Sequence, residues 1–292
     1  MLTYMVMSDQ DIDAVRAQIA HDYRTFYSLK CSEIETLNVL QWWPRGLPQL
    51  DTEPYITLAG DYFATILDSF NELISCYAYS VAAEKVAQEH DEKNQKGYAN
   101  HWRFLVRNYH FHMFIPRYYS LLDYCAFLIN ELSYPQILVE DTKSGEPRHV
   151  DYERMIESLE ESLKGKEKRG ALEVTDLRTC CEALKGFRAG LAAQDEEILK
   201  RFRDVITHRY LPGIDEMTVS IERSCSRTRA DSSYGKLMTI KQDSRSYDHY
   251  GLSEFHFKEI EPLARTLVLS ADQSLKKLYS IGVVKRAFSR SD

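Results

Sequence analysis

The sequence predicts an all-α fold, and three observations predict it. Only 12 Gly and 8 Pro are spread over 292 residues, too few punctuating residues for a turn-rich β-sandwich. Apolar side chains recur at three- and four-residue intervals over long stretches, the period of helices buried on one face. A composition of 44% hydrophobic and 28% charged residues is that of an ordinary globular chain and argues against wholesale disorder. The length allows one large domain or two modest ones. With no internal repeat and no break in composition, a single helical domain over residues 1–292 is the economical reading.

The elements follow in order. Ser8 can cap a first helix whose inward face is Ile12, Val15, Ile19, Tyr23 and Phe26. Leu40 to Pro48 is a connection, stopped by Pro44 and Gly46 and sealed onto the body by Trp42 and Trp43. A long helix from Glu53 to about Gln88 carries the stripe Ala59, Phe63, Ile66, Phe70, Leu73, Tyr77 and Val81, and the polar run Glu89–Gly97 then reads as a solvated loop. Trp102 opens another long helix to about Leu132, with a kink expected at Pro116. Its second half, from Tyr118 to Ile129, is apolar nearly all round, so it is a central core helix in which Asp123 needs a partner.

Residues 135–150 read as a loop or small hairpin. A charged helix follows, with Met155, Leu159 and Leu163 on one face and a basic cluster at 164–169. Thr175 or Asp176 can cap the next helix, which carries Leu177, Cys181, Leu184, Phe187 and Leu191. Asp195 can cap a further one, with Ile198, Phe202 and Val205 inward and Leu211-Pro212-Gly213 as its stop. The period then changes to two. Met217, Val219 and Ile221 alternate with polar residues, as do Met238 and Ile240, predicting a small β-hairpin over about 216–241 with an exposed Ser/Arg-rich loop at 223–235. A last helix from about Ser253 to Ser280 presents Leu263, Leu267, Ala271, Leu275 and Leu278 on one face.

The charge balance, 37 basic against 44 acidic residues and a net −7, excludes a uniformly basic nucleic-acid coat but leaves room for a local patch. No apolar run approaches the ~18 residues of a membrane span. The N-terminus lacks a positive leader and a long apolar core, so a secretory signal is not expected. Six Cys without a C-x-x-C pair read as reduced, buried thiols of a cytoplasmic protein.

The segment Lys200-Arg201-Phe202-Arg203-Asp204-Val205-Ile206-Thr207-His208-Arg209-Tyr210 is the most informative. With Phe202 and Val205 facing the core, its polar groups project from an anchored helix. Asp204 and His208 are four residues apart on one face, where a carboxylate can orient an imidazole. Arg203 lies about 140° around the helix from His208, within reach of a long side chain. A fixed guanidinium beside a titratable imidazole suits phosphoryl chemistry: arginine grips phosphate oxygens with paired bonds, and histidine moves a proton near neutral pH. The plainer reading of these residues is a surface ion-pair network.

Arg203-Asp204-x-x-x-His208 resembles the R-x4-6-H motif of the HEPN superfamily, which favours a polar residue after the arginine. His208-Arg209-Tyr210 is similar to the extended version of HEPN toxins paired with nucleotidyltransferase antitoxins. The helix around Tyr118–Asp123 resembles the aromatic core helix of longer bacterial HEPN proteins. The resemblance spans roughly residues 100–280. It implies an HEPN-like helical bundle over about 98–284 with extra N-terminal helices in residues 1–97, and a homodimer in which two motifs share one cleft. It also implies a metal-independent endoribonuclease, without cofactor, acting in bacterial stress response or antiviral defence. Cleavage would proceed by attack of the ribose 2′-hydroxyl on the adjacent phosphate, which makes RNA the substrate. In that chemistry His208 is the general acid/base, Arg203 stabilises charge on the phosphate, and Asp204 orients His208. Tyr210, with Thr207 beside it, lines the cleft or serves as a modification site. An antitoxin or regulatory protein is the implied partner. The alternative is a catalytically inactive HEPN module that binds nucleic acid, a nucleotide or a protein.

Arg107-Asn108-Tyr109-His110-Phe111-His112 fits the same pattern. It lies early in the bundle within an aromatic helix, and its residues read as packing groups with polar rims. His110 and His112 point to different sides of a helix and have no further ligands at metal-site spacing, so a metal site is rejected. Lys200, Arg201, Arg209, Arg223, Arg227 and Arg229 are candidates to track an RNA backbone, as are the bases at 164–169 and Lys285-Arg286; solvated loops are the plainer explanation.

Overall fold

The structure is a computed structural model. It describes residues 9–44, 47–48, 53–133, 150–165, 170–208, 214–215, 218–219, 222–229, 238–246, 250–251 and 255–289. Side chains are described for these residues except 9–12, 14–15, 205–208 and those of the strands.

Helix α1 (Asp9–Leu37) lies along α2 (Pro54–Glu92), the longest element. Pro54 sits in the first turn of α2, where its missing N–H costs nothing and its fixed φ suits the helix. The predicted stripe is the buried face of α2: Ala59, Phe63, Ile66, Phe70, Leu73 and Tyr77 are all within the core. Two expectations for this half are corrected. Ile19 and Tyr23 are 44% and 42% exposed, and of the described inward residues of α1 only Phe26 is buried. The run after Gln88 is not a free loop either. Helix α2 continues to Glu92, and His90 is buried with its ring nitrogens 3.0 Å from Asp22 Oδ2 and 2.7 Å from Gln95 Oε1. A helix breaks where its side chains have no tertiary partner, and here Asp22 of α1 supplies one.

The short α3 (Lys96–Asn100) leads into a π-helical turn (His101–Arg107) and then α4 (Asn108–Leu132). Helix α4 runs through Pro116 and buries Phe111, Phe114, Ile115, Tyr118, Leu121 and Leu122 against α2. Tyr77 and Phe114 meet with ring centroids 6.3 Å apart. Asp123 has the partner it needs: its carboxylate accepts the Tyr152 backbone N–H at 3.3 Å, at the start of α5 (Tyr152–Gly165).

Helix α6 (Val174–Gly186) begins at Glu173, not at Thr175 or Asp176. Asp176 is the third helical residue and takes the Glu173 N–H at 3.1 Å, closing a reciprocal cap. At its other end the orphan carbonyls find phenols: Tyr152 donates to Leu184 O at 2.6 Å and Tyr118 to Phe187 O at 2.8 Å. A Cβ on Gly186 would come within 2.6 Å of Ser274 Oγ, so glycine permits the close approach of α6 to α8.

Helix α7 (Ala193–His208) is anchored through Leu199 and Phe202, which are 2% and 1% exposed. Asp195 accepts from the Ala192 N–H at 3.4 Å, so it completes the cap from inside the helix instead of being the cap residue. After α7, β1 (Thr218–Val219), β2 (Glu222–Arg229), β3 (Met238–Ser246) and β4 (Tyr250–Gly251) form two small antiparallel pairs, β1 with β4 and β2 with β3. The stretch expected as a loop at 223–235 thus holds extended backbone through Arg229. Ile214 forms a parallel bridge with Phe255, and the Asp215 N–H donates to Phe255 O at 3.0 Å. Helix α8 (Phe257–Tyr279) follows, burying Leu267, Ala271, Leu275 and Leu278, and α9 (Gly282–Ala287) closes the chain against α2. Trp42 donates its indole N–H to Asp272 at 2.9 Å and so seals its connection as expected.

The fold is mostly helical, and no helix among the described residues is long and apolar enough to cross a membrane. Cys125, Cys180 and Cys181 are buried free thiols, Cys76 is half-buried, and Cys31 is exposed, which corrects the expectation that all are buried. The loop expected at 135–150 lies outside the described residues except for Val150, which packs on the core.

Candidate functional site

Helix α7 presents its site because its opposite face is fixed. Phe202 meets Phe111 of α4 edge-on at 5.6 Å and Phe255 at 4.7 Å, and His112 lies near parallel to it at 5.9 Å. Three aromatic neighbours on one buried ring hold the helix against rotation, so the next residue leaves the bundle in a defined direction.

That residue is Arg203. Its guanidinium carbon sits 4.5 Å from the centre of the Tyr119 ring, and its Nε and Nη2 donate to Asp204 Oδ1 at 3.0 and 2.8 Å. Stacking and a two-point bond orient the plane of the fork. Arg203 and Asp204 side chains are 32% and 47% exposed, so the pair faces solvent while its back is packed. Burial pushes the Tyr119 phenol up from its ordinary value, with the Arg203 and Arg188 charges pulling the other way; the ring stays neutral and keeps its electron-rich face for the cation.

His208 is the last residue of α7. The helical backbone places it about 40° around the axis from Asp204 and about 140° from Arg203; its side chain and that of Thr207 lie outside the described residues, as do Arg209 and Tyr210 altogether. The structure therefore shows Asp204 engaged by Arg203. Lys200 and Arg201 belong to the same helix, Arg201 on its exposed side, and Arg223, Arg227 and Arg229 lie on β2, described by backbone alone. The basic positions 166–169 fall outside the described residues.

The second motif copy has a different fate. Arg107 is 0% exposed and the largest fully buried side chain among the described residues. Its Nη1 lies 2.5 Å from Glu84 Oε2 and 2.9 Å from Asp215 Oδ2. Its Nε and Nη2 donate to Asn108 Oδ1 at 3.0 and 2.8 Å, Nη2 also donates to Ile214 O at 3.0 Å, and the guanidinium lies 4.7 Å over Phe257. Burial pulls its pKa down while the Glu84 and Asp215 carboxylates hold it up. His110 is stacked on Tyr79 at 4.7 Å and has its pKa lowered by burial. No substrate can reach a guanidinium so enclosed, and the packing role read from sequence is the one the contacts support.

A cleft of about 690 Å³ between α1, α2 and α8 is lined among others by Tyr77, Glu84, Asp215, Glu261 and Arg265, and Arg203 and Asp204 are not part of its wall. Its carboxylates are compensated: Glu84 and Asp215 by Arg107, Glu33 by Lys85, and Glu261 by the Tyr77 hydroxyl. No group of three or more His, Cys, Asp or Glu side chains suited to a metal occurs among the described residues.

Sequence spacing did not disclose Tyr119 as the platform under Arg203, because the two lie 84 positions apart and meet only through the docking of α7 on α4. Comparison of the chain with family models, curated proteins and solved structures returned no match.

Proposed function

We propose that this chain is an HEPN-type, metal-independent endoribonuclease with an HEPN-like bundle over about 98–284, an N-terminal helical extension over 1–97 and a β-hairpin insertion. The observation that carries the reading is the oriented Arg203 fork, packed on Tyr119 and 32% exposed, five residues before a histidine at the helix end. A guanidinium plane so oriented would meet a phosphate without first being ordered, exchanging its Asp204 bonds for bonds to phosphate oxygens as charge develops on the phosphorane. His208 takes the 2′-hydroxyl proton or returns one to the leaving 5′-oxygen. The new bond joins the 2′-oxygen to phosphorus, the 5′-oxygen departs with a proton, and the 3′ product end is a cyclic phosphate. Two copies of the chain, paired across a two-fold axis, would bring two Arg203/His208 sets to one RNA strand. Such an enzyme fits a cytoplasmic role in stress response or antiviral defence, held in check by an antitoxin or regulatory protein.

A second reading has an observation of its own. Asp204 already occupies Arg203 Nε and Nη2, and a guanidinium with that much of its fork engaged fits an inactive HEPN module that binds nucleic acid, a nucleotide or a protein partner. Incubation of the purified protein with total RNA, followed by mapping of the cut ends, decides between them. The nuclease reading expects discrete cuts ending in 2′,3′-cyclic phosphate, unaffected by chelator and absent from a 2′-deoxy strand. Retained RNA binding without cuts selects the second reading.

A further inference from the structure

The buried copy of the motif is tied to the exposed one. Arg107 sits where the π-helical turn becomes α4, and its fork reaches across to Ile214, six residues past the end of α7, and to Asp215. Asn108 adds a second bond to the same carbonyl, Nδ2 to Ile214 O at 3.2 Å. Asp215 has a φ of +57°, a left-handed conformation that Asp tolerates better than most side-chain-bearing residues and that local bonds of its carboxylate support. Its carboxylate pairs with Arg107 at 2.9 Å, with His256 Nδ1 at 3.2 Å, and accepts the Phe257 N–H at 3.4 Å. The Ile214–Phe255 bridge brings the incoming strand alongside, and Phe255 packs on Phe202, the neighbour of Arg203.

The geometry points to Arg107 as a positioning residue for the α7 site, an inference that rests on the nuclease reading for its consequence in catalysis. Arg107 acts from two directions. Through Ile214 it fixes a point six residues after the end of α7; through Asp215 and Phe255 it fixes the surface on which Phe202, and with it Arg203, is seated. Glu84 of α2 and Phe257 of α8 hold the guanidinium itself in place. One planar fork thus references the seat of Phe202 on α7 to α2, α4 and α8 together. Lysine cannot replace it, because a single ammonium cannot span Glu84, Asp215, Asn108 and a main-chain carbonyl.

The test uses the full chain carrying Arg107→Lys, with Asp215→Asn as a milder variant that keeps the shape of the half-exposed partner. Hydrogen exchange is read first, since it needs no activity. Amides of residues 203–208 are expected to exchange about ten-fold faster or more in Arg107→Lys, those of the α2 core around Phe70 being unchanged. Exchange on α7 equal to wild type overturns the inference. Cleavage is read second. Displacement of the site by a fraction of an ångström lowers kcat on the order of 10-fold to 10²-fold with KM nearly constant, and the loss is smaller in an Arg203→Ala background. Full activity of Arg107→Lys, or an equal loss in that background, sinks the proposal. If wild type makes no cuts, the nuclease reading falls, and the exchange result alone decides whether Arg107 holds α7.

Discussion

Arg203 stacks on Tyr119, with the guanidinium carbon 4.5 Å from the ring centre, and this contact places a half-buried arginine fork of α7 against an aromatic floor. If the fork serves the phosphate, Arg203→Ala and His208→Ala each lower RNA cleavage about 10²-fold or more with helical content intact. Tyr119→Leu, which keeps the bulk and removes the π face, lowers it less, by roughly ten-fold. Steady-state cleavage of a short fluorescent RNA checks all three. Wild-type rates in Arg203→Ala would end the case for this helix as the active site.

Phe202→Ala removes the ring that locks α7 between Phe111, His112 and Phe255. At 1% exposure the cost in stability is roughly 3–5 kcal/mol, measured as a shift of the urea midpoint. Cleavage should fall beyond what the folded fraction accounts for.

The pair of His90 and Asp22 joins α2 to α1 in a buried setting, with Gln18 holding the second Asp22 oxygen at 2.6 Å. His90→Leu strands that carboxylate and costs on the order of 3 kcal/mol. Chemical denaturation followed by circular dichroism checks it, and the loss should be shared by Asp22→Ala.

Burial raises the pKa of Cys125 and Cys180 above the ordinary thiol value of 9.0 and that of Tyr118 and Tyr152 above the phenol value of 10.0. Above pH 9 the unfolded chain sheds these protons while the folded one keeps them. The folded state then binds more protons than the unfolded one, so stability falls with rising pH. Thermal midpoints should hold steady below pH 8 and decline from about pH 9 upward. At pH 8 a thiol reagent should label Cys31 and leave Cys125 and Cys180 untouched in the native protein.

Asp176→Ala opens the reciprocal cap at the start of α6 and should cost about 1 kcal/mol, read again from urea unfolding.

What the sequence made legible is what repeats. The stripes of α2, α4, α6 and α8 show at helical period because each faces one continuous core, and the buried residues follow them closely. Helix α1 was harder. Around Phe26 it meets α2 through a small separate cluster with Ala82, Ala83 and Trp102, so Ile19 and Tyr23 of its apparent stripe are left partly exposed. His90 reads as solvated in the sequence but is buried, and the partners that bury Arg107 are not visible there either, for a common reason. A polar residue looks solvated in a string of letters, and its burial depends on partners such as Asp22, Glu84 and Asp215 that come from distant elements. Half of the candidate site, Arg203 on an anchored helix, follows from period; its aromatic floor and the clamp behind it are products of three-dimensional assembly.

The bridge between Ile214 and Phe255 makes those two positions a seam in the molecule. A chain that departs and re-enters side by side can exchange residues 216–254 for a tether or a reporter domain, provided that Asp215, which holds Arg107 and the start of α8, stays in place. Such a swap, read by RNA binding and cleavage, would show whether residues 216–254 contribute to either.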